Sequence, residues 1–232
     1  MPNILHIETS TRVCSVAVSR DGEVTFERVD HEGPNHATVC GVFVEEALCF
    51  CQERDIRLDA VAVSQGPGSY TGLRIGVSMA KGVCYGRHIP LLAIPTLELL
   101  CVPLLLGHEE LPDDTLFVPM LDARRMEVYA AIYDRALHEV RGTEADIVDG
   151  TTYEPWLHEH TLCFFGNGAA KCQKVVNNPH AIFVPDIEPL ARHMMPLAER
   201  TLREGRIQDV AYFEPFYLKE FVATKPRNLL QS

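Results

Sequence analysis

The chain contains no apolar run near the roughly 18 consecutive residues that cross a bilayer as a helix. Its first residues, MPNILHIETS, have no basic cluster ahead of the apolar stretch, as a secretory leader would. The expectation is a soluble cytoplasmic protein with no membrane contact. Positive charge is also scarce. Lys and Arg total 21 against 32 Asp and Glu, a net charge of −11. Gripping a nucleic-acid backbone relies on basic residues displacing counterions, so the lone chain is a poor binder of nucleic acid. A complex whose other member holds the nucleic acid remains open. Eight cysteines are present, none in a Cys-x-x-Cys pair. Most lie in apolar surroundings, which predicts buried free thiols. His158 and His160 flank Glu159, a pattern more typical of surface than of a metal site. No Gly-x-Ser-x-Gly elbow is present, which removes support for a serine hydrolase. No cofactor and no metal are expected.

What is abundant is glycine in one place. SQGPGSYTGLRIG, residues 64–76, holds Gly66, Gly68, Gly72 and Gly76 after an apolar strand-like run. Glycine in a helix costs roughly 1 kcal/mol against alanine. Two purposes can justify it: cradling an anion at a helix N-terminus, or close approach to another backbone. A Walker loop is excluded, because the nearest lysine, Lys81, lies about three turns into the helix. Thr71 stands where the dinucleotide fingerprint needs its third glycine, and Pro67 interrupts the turn. A weak phosphate site remains open, formed by Glu8, Thr9 and Ser10 with Gly66, Gly68 and Ser69. The alternative is a tight strand-to-helix turn with Ser69 or Thr71 as N-cap.

The 232 residues suffice for one large or two small domains. ILHIETSTRVCSVAVSRDGEVTFERV reads as strand, turn, strand, a turn at Asp21-Gly22, and strand. LFVPMLDARRMEVYAAIYDRALHEVRGTE repeats that plan, with Asp122 ending its first strand as Glu8 does. Later in each half a strand runs into Gly-x-Gly and a helix; in the second half this is LCFFGNGAAKCQKVV. The pattern predicts an α/β protein built from a duplicated unit. The expected lobes are 1–105 and 106–232, with the last segment packing back on the first lobe.

Two helices carry more apolar surface than one sheet contact requires. In 36–54, Val39, Val42, Phe43, Cys49 and Phe50 contribute to an apolar arc of roughly 260°, broken by Glu46 and Glu53. In 72–87, one face holds Leu73, Val77, Ala80 and Cys84, and a second holds Ile75, Met79, Gly82, Val83 and Gly86. The second faces predict a partner interface formed by Val39, Val42, Phe43, Glu46, Cys49, Phe50, Ile75, Met79, Gly82, Val83 and Gly86.

ILHIETSTRVCSVAV, SQGPGSYTGLRIGVSMAKGVCYG, IPLLAIPTLELL, LDARRMEVYAAIYD and PFYLKE together resemble the bacterial TsaB (YeaZ) family. The resemblance implies two ribonuclease-H-like lobes of the actin-like ATPase and sugar-kinase (ASKHA) class. It implies a role in making threonylcarbamoyladenosine in tRNA, as partner of a paralogous TsaD-type catalytic subunit. A TsaE-type ATPase joins that complex, and the lone chain would pair with itself. Catalytic relatives carry a metal-binding His-x-x-x-His, whose positions fall on Thr96 and Leu100 here. The resemblance therefore implies a non-catalytic scaffold. A nucleotide-binding ATPase is the alternative, although Glu8-Thr9-Ser10-Thr11 lacks the glycine of that class's phosphate hairpin. An M22-type glycoprotease-like metallopeptidase is disfavoured by the missing histidines.

Overall fold

The computed structural model describes residues 1–33, 35–108 and 110–218. Its first sheet contains β1 (Ile4–Glu8), β2 (Cys14–Arg20), β3 (Glu23–Asp30), β4 (Ala60–Gly66) and β5 (Leu91–Pro95). The strand order is β3-β2-β1-β4-β5. The hairpin strands pair antiparallel, whereas β1, β4 and β5 run parallel. All five residues of β1 are buried, the continuous burial expected of a parallel strand covered on both faces. The β2–β3 turn has both Asp21 and Gly22 at positive φ, the conformation that favours Asp-Gly in a tight hairpin.

The second sheet repeats the first. Its strands are β6 (Leu116–Asp122), β7 (Glu127–Tyr133), β8 (Glu139–Ile147), β9 (Leu162–Phe165) and β10 (Ala181–Val184). Their order is β10-β9-β6-β7-β8, the same connectivity seen from the other edge. The duplicated α/β plan legible in the sequence is thus the architecture of the molecule.

Helices α1 (His36–Glu53) and α2 (Tyr70–Arg87) cover one face of the first sheet. Helix α3 (Thr96–Gly107) is apolar almost all round, as a helix buried on every side must be. Its Leu97, Leu100, Cys101 and Leu104 join Phe117 and Phe165 of the second lobe. Its Leu99 and Val102 join Ile4, Leu92 and Ile94 of the first. It passes unbroken through residues 105 and 106, with Pro103 inside it. Short helices α4 (Glu154–Leu157) and α5 (Ala169–Cys172) belong to the second lobe, and α6 (Met195–Arg203) follows. Met194, Leu197 and Ala198 lie against the first sheet. Beyond them, Gln208 N–H donates to Leu91 O at 2.9 Å and Phe216 N–H to Gln65 O at 2.7 Å. Of the PFYLKE motif, residues 219 and 220 lie outside the described part.

Candidate functional site

Between α1 and α2 runs an open groove of about 1070 Å³. One wall is a row of α1 residues that includes Ala37, Gly41, Glu45, Leu48 and Gln52. The other wall includes Thr71, Ile75, Met79, Gly82 and Gly86 of α2. Three- and four-residue steps put each row on one helix face. A Cβ added at Gly82 or Gly86 meets no atom within 4 Å, so both positions face open space. At Gly41 an added Cβ reaches only the Met79 methyl, at 3.7 Å.

The sequence-predicted docking residues divide into two sets. Cys49, Ile75, Met79, Gly82, Val83 and Gly86 line the groove. Val39, Val42, Phe43, Glu46 and Phe50 do not. The core face of α1 is formed by Cys40, Val44, Ala47 and Cys51; Ala47 and Cys51 belong to the apolar stripe legible in the sequence, whereas its Val39, Phe43 and Phe50 lie on the flank of the core. The edge strand β3 accounts for part of this difference. Phe26 holds the Phe50 ring at 5.2 Å between centroids. Arg28 Nε donates to Glu46 at 2.6 Å. Val39 and Phe43 are partly buried on the flank of the core, and Val42 is exposed. Sequence reasoning missed Gly41 and Gln52, because their row mixes small and polar residues with apolar ones. The four-residue spacing of Ala37, Gly41 and Glu45 was the available signal.

The residues of the glycine-rich turn pack backbone against backbone. Glu8, Thr9 and Ser10 are buried. The N–H of Ser69 donates to Ser10 O at 2.7 Å, and that of Ser10 to Glu8 Oε1 at 2.6 Å. Thr9 Oγ1 donates to Gly72 O at 2.8 Å. Ser69 is the N-cap of α2, its hydroxyl accepting Gly72 N–H at 3.2 Å. A Cβ at Gly68 or Gly72 would collide with the carbonyl oxygens of Ser10 or Thr9, and one at Gly76 with the Thr9 hydroxyl. At Gly66, which has φ +110°, it would come within 2.6 Å of Phe216 O. Close backbone approach accounts for Gly66, Gly68 and Gly72, and the weak phosphate-site expectation at Glu8, Thr9, Ser10, Gly66, Gly68 and Ser69 draws no support from this geometry. The glycines serve close approach. Burial pushes the Glu8 carboxyl up to about 7, against the opposing hydrogen bonds from Ser10 and Ser64. Near neutral pH it is partly protonated, and the protonated form donates to an oxygen that the ion cannot.

Thr96 and Leu100 are both fully buried on α3, Leu100 inside the interlobe core. Among the described residues, no three His, Cys, Asp or Glu side chains converge to hold a metal ion. Seven cysteines are buried free thiols, and Cys49 is exposed in the groove wall. No helix among the described residues is long and apolar enough to cross a membrane.

The second lobe has its own version of the glycine turn. Gly168 N–H donates to Met120 O at 3.1 Å. Asn167 Oδ1 accepts Asp122 N–H at 2.8 Å. The β6–β7 hairpin is thereby fastened to the turn after β9, as the β1–β2 hairpin is to the turn after β4.

Comparison with known proteins agrees with the two-lobe fold. Residues 31–226 match the model of the family TsaD: tRNA N6-adenosine threonylcarbamoyltransferase. The tRNA threonylcarbamoyladenosine biosynthesis protein TsaB of Escherichia coli (strain K12) is 30% identical, over 96% of this chain and 96% of that protein. TsaB of Bacillus subtilis (strain 168) is 35% identical over 56% of this chain and 54% of its own. A crystal structure from Pseudomonas aeruginosa, described as similar to peptidase YEAZ, superposes with a TM-score of 0.80 at 22% identity. It covers 94% of this chain and 100% of that one, and carries the same two-lobed fold. Identity that spans nearly the whole of both chains, on a shared two-lobe α/β architecture, makes this chain a member of the TsaB (YeaZ) family of tRNA threonylcarbamoyladenosine biosynthesis proteins.

Proposed function

We propose that the chain is a non-catalytic subunit that docks, through the groove between α1 and α2, on a TsaD-type subunit that transfers threonylcarbamoyl to tRNA. The observation that carries this reading is the open groove, with Gly82 and Gly86 leaving room for a neighbouring helix. Two helices of a partner laid beside α1 and α2 make a four-helix contact. A stable interface needs on the order of 1,600 Å² of total buried surface, within reach of four paired helices. In the partner's absence a second copy of the chain covers the same surface in a two-fold dimer. A TsaE-type ATPase joins the assembled pair, and tRNA is held by the complex rather than by this acidic chain alone. The absence of catalysis follows from Thr96 and Leu100, whose side chains cannot replace histidine as metal ligands.

The test is co-purification with the same organism's TsaD-type protein, with mass measured by light scattering. Gly82→Arg and Met79→Arg overfill the groove. Each is expected to weaken association at least about tenfold, a change of about 1.4 kcal/mol, while circular dichroism stays that of the wild type. If both folded variants bind the partner with undiminished affinity, the docking surface lies elsewhere.

A further inference from the structure

The β6–β7 hairpin ends in Asp122-Ala123-Arg124-Arg125, and its tip breaks a local rule. Arg124 and Arg125 both have positive φ, 71° and 51°. Two consecutive non-glycine residues in the left-handed region are uncommon, and arginine is not among the residues that tolerate it best. Asn or Gly would hold the same backbone with less strain.

The strained conformation is fixed from outside. Asp122 Oδ1 accepts Arg124 N–H at 2.9 Å and also pairs with the Lys171 ammonium. Lys171 Nζ donates onward to Glu127 O at 2.6 Å. Ala123 N–H donates to Glu127 O at 3.0 Å, and Glu127 N–H to Arg124 O at 3.1 Å. With Asn167 on the Asp122 amide, the base of the turn is clamped on several sides. Both arginines are exposed. Among the described residues neither guanidinium has an ion-pair partner, while most other arginines of this chain are engaged. Strain that persists where a better residue is available marks side chains that are used.

We infer that Arg124 and Arg125 form a phosphate-binding tip. A guanidinium presents a rigid fork of N–H donors that fits two phosphate oxygens. The clamped turn fixes the backbone that carries the pair, and the pair supplies local positive charge on a chain of net charge −11. Membership of a tRNA-modifying system makes the RNA backbone one source of that phosphate. A free nucleoside triphosphate is the other, and the test separates them.

The double variant Arg124→Asn with Arg125→Asn keeps left-handed backbone accessible. Its melting temperature is expected to hold or to rise by a few degrees, so loss of fold does not confound it. The control is Arg57→Asn with Arg203→Gln, which removes two other exposed arginines. Binding of unmodified tRNA transcript and of ATP is titrated on the full chain mixed with its TsaD-type partner. Light scattering first establishes that the wild-type pair forms; if it does not, the docking reading fails separately and the titrations are run on the chain alone. For RNA phosphates, tRNA affinity falls about tenfold in the Asn pair. The slope of log K on log salt shrinks by roughly 1.4 to 1.8, and ATP binding is unchanged. For nucleotide phosphates, ATP affinity falls and the tRNA slope stays. If neither affinity moves, or if the control lowers binding as much as the Asn pair, the assignment is overturned.

Discussion

Gly72→Ala sets a Cβ against the carbonyl oxygen of Thr9, far inside any observed contact, and the obstacle is backbone rather than a yielding side chain. Helix α2 must then retreat from the β1–β2 turn by about 1.4 Å to restore ordinary contact. Overpacking of this kind costs about 1–3 kcal/mol. The retreat also breaks the Thr9 hydroxyl bond to Gly72 O and the Ser69 N–H bond to Ser10 O, each worth about 1 kcal/mol. The sum is about 3–5 kcal/mol, set against a net stability of about 5–15 kcal/mol for a domain. For a chain of this size each kcal/mol moves Tm by roughly 2–4 °C, so a loss of at least about 6 °C is expected. Gly82→Ala, ten residues along the same helix, meets nothing within 4 Å. It should gain up to about 1 kcal/mol from helix propensity alone. Urea titration of both variants, with thermal melts alongside, measures the pair. Gly72→Ala within about 1 kcal/mol of wild type would refute the close-approach account. A destabilised Gly82→Ala would refute the open groove wall.

Glu8 gives the pH dependence. Its folded carboxyl titrates near 7, raised from 4.5, so between these values the folded protein keeps a proton that the unfolded chain has released. The stability held by neutral Glu8 is complete below the unfolded value and is lost as pH rises to about 7, roughly 3 kcal/mol in all. Glu8→Gln should remove that slope, so the stability difference between variant and wild type grows across this window; a difference constant from pH 4.5 to 8 contradicts it. In the second lobe, buried Asp146 accepts Arg141 Nη2 at 2.6 Å and Tyr153 Oη at 2.5 Å. Asp146→Ala strands both donors and should cost about 3–5 kcal/mol, read by denaturant unfolding. An unchanged midpoint would show that the trio is dispensable.

Much of this was legible from residue order alone. The hairpin signals at Asp21-Gly22 and the repeated strand–turn–strand plan gave both sheets, because turn chemistry and short apolar runs are local properties. The second face of α2 was visible too, since Gly82, Gly86, Met79 and Ile75 stand apart from Val77 and Cys84 on the helix wheel. The contact of Phe50 with Phe26 was not: it is set by an edge strand some twenty residues upstream, which the apolarity of α1 does not reveal. The role of the glycines beside Glu8, Thr9 and Ser10 was left open for a similar reason. Glycines that admit an anion and glycines that admit a carbonyl look identical until the opposing backbone is in place. The strain at Arg124 and Arg125 is likewise a property of φ, silent in the letters.

The return of the chain to its first sheet has a consequence during synthesis. One face of that sheet, with Ile4, Ala60, Leu92 and Ile94, is covered in part by Met194, Leu197 and Ala198. At ribosomal rates of about 5–20 residues per second, the roughly 100 residues between β5 and α6 take some 5–20 s to emerge. For that interval an apolar sheet face is complete but only partly roofed, which is the condition in which hold-and-release chaperones engage a nascent chain. The strands translated first are therefore sealed last, and a nonsense codon between α3 and residue 190 leaves that face covered by Leu99 and Val102 but not by Met194, Leu197 and Ala198.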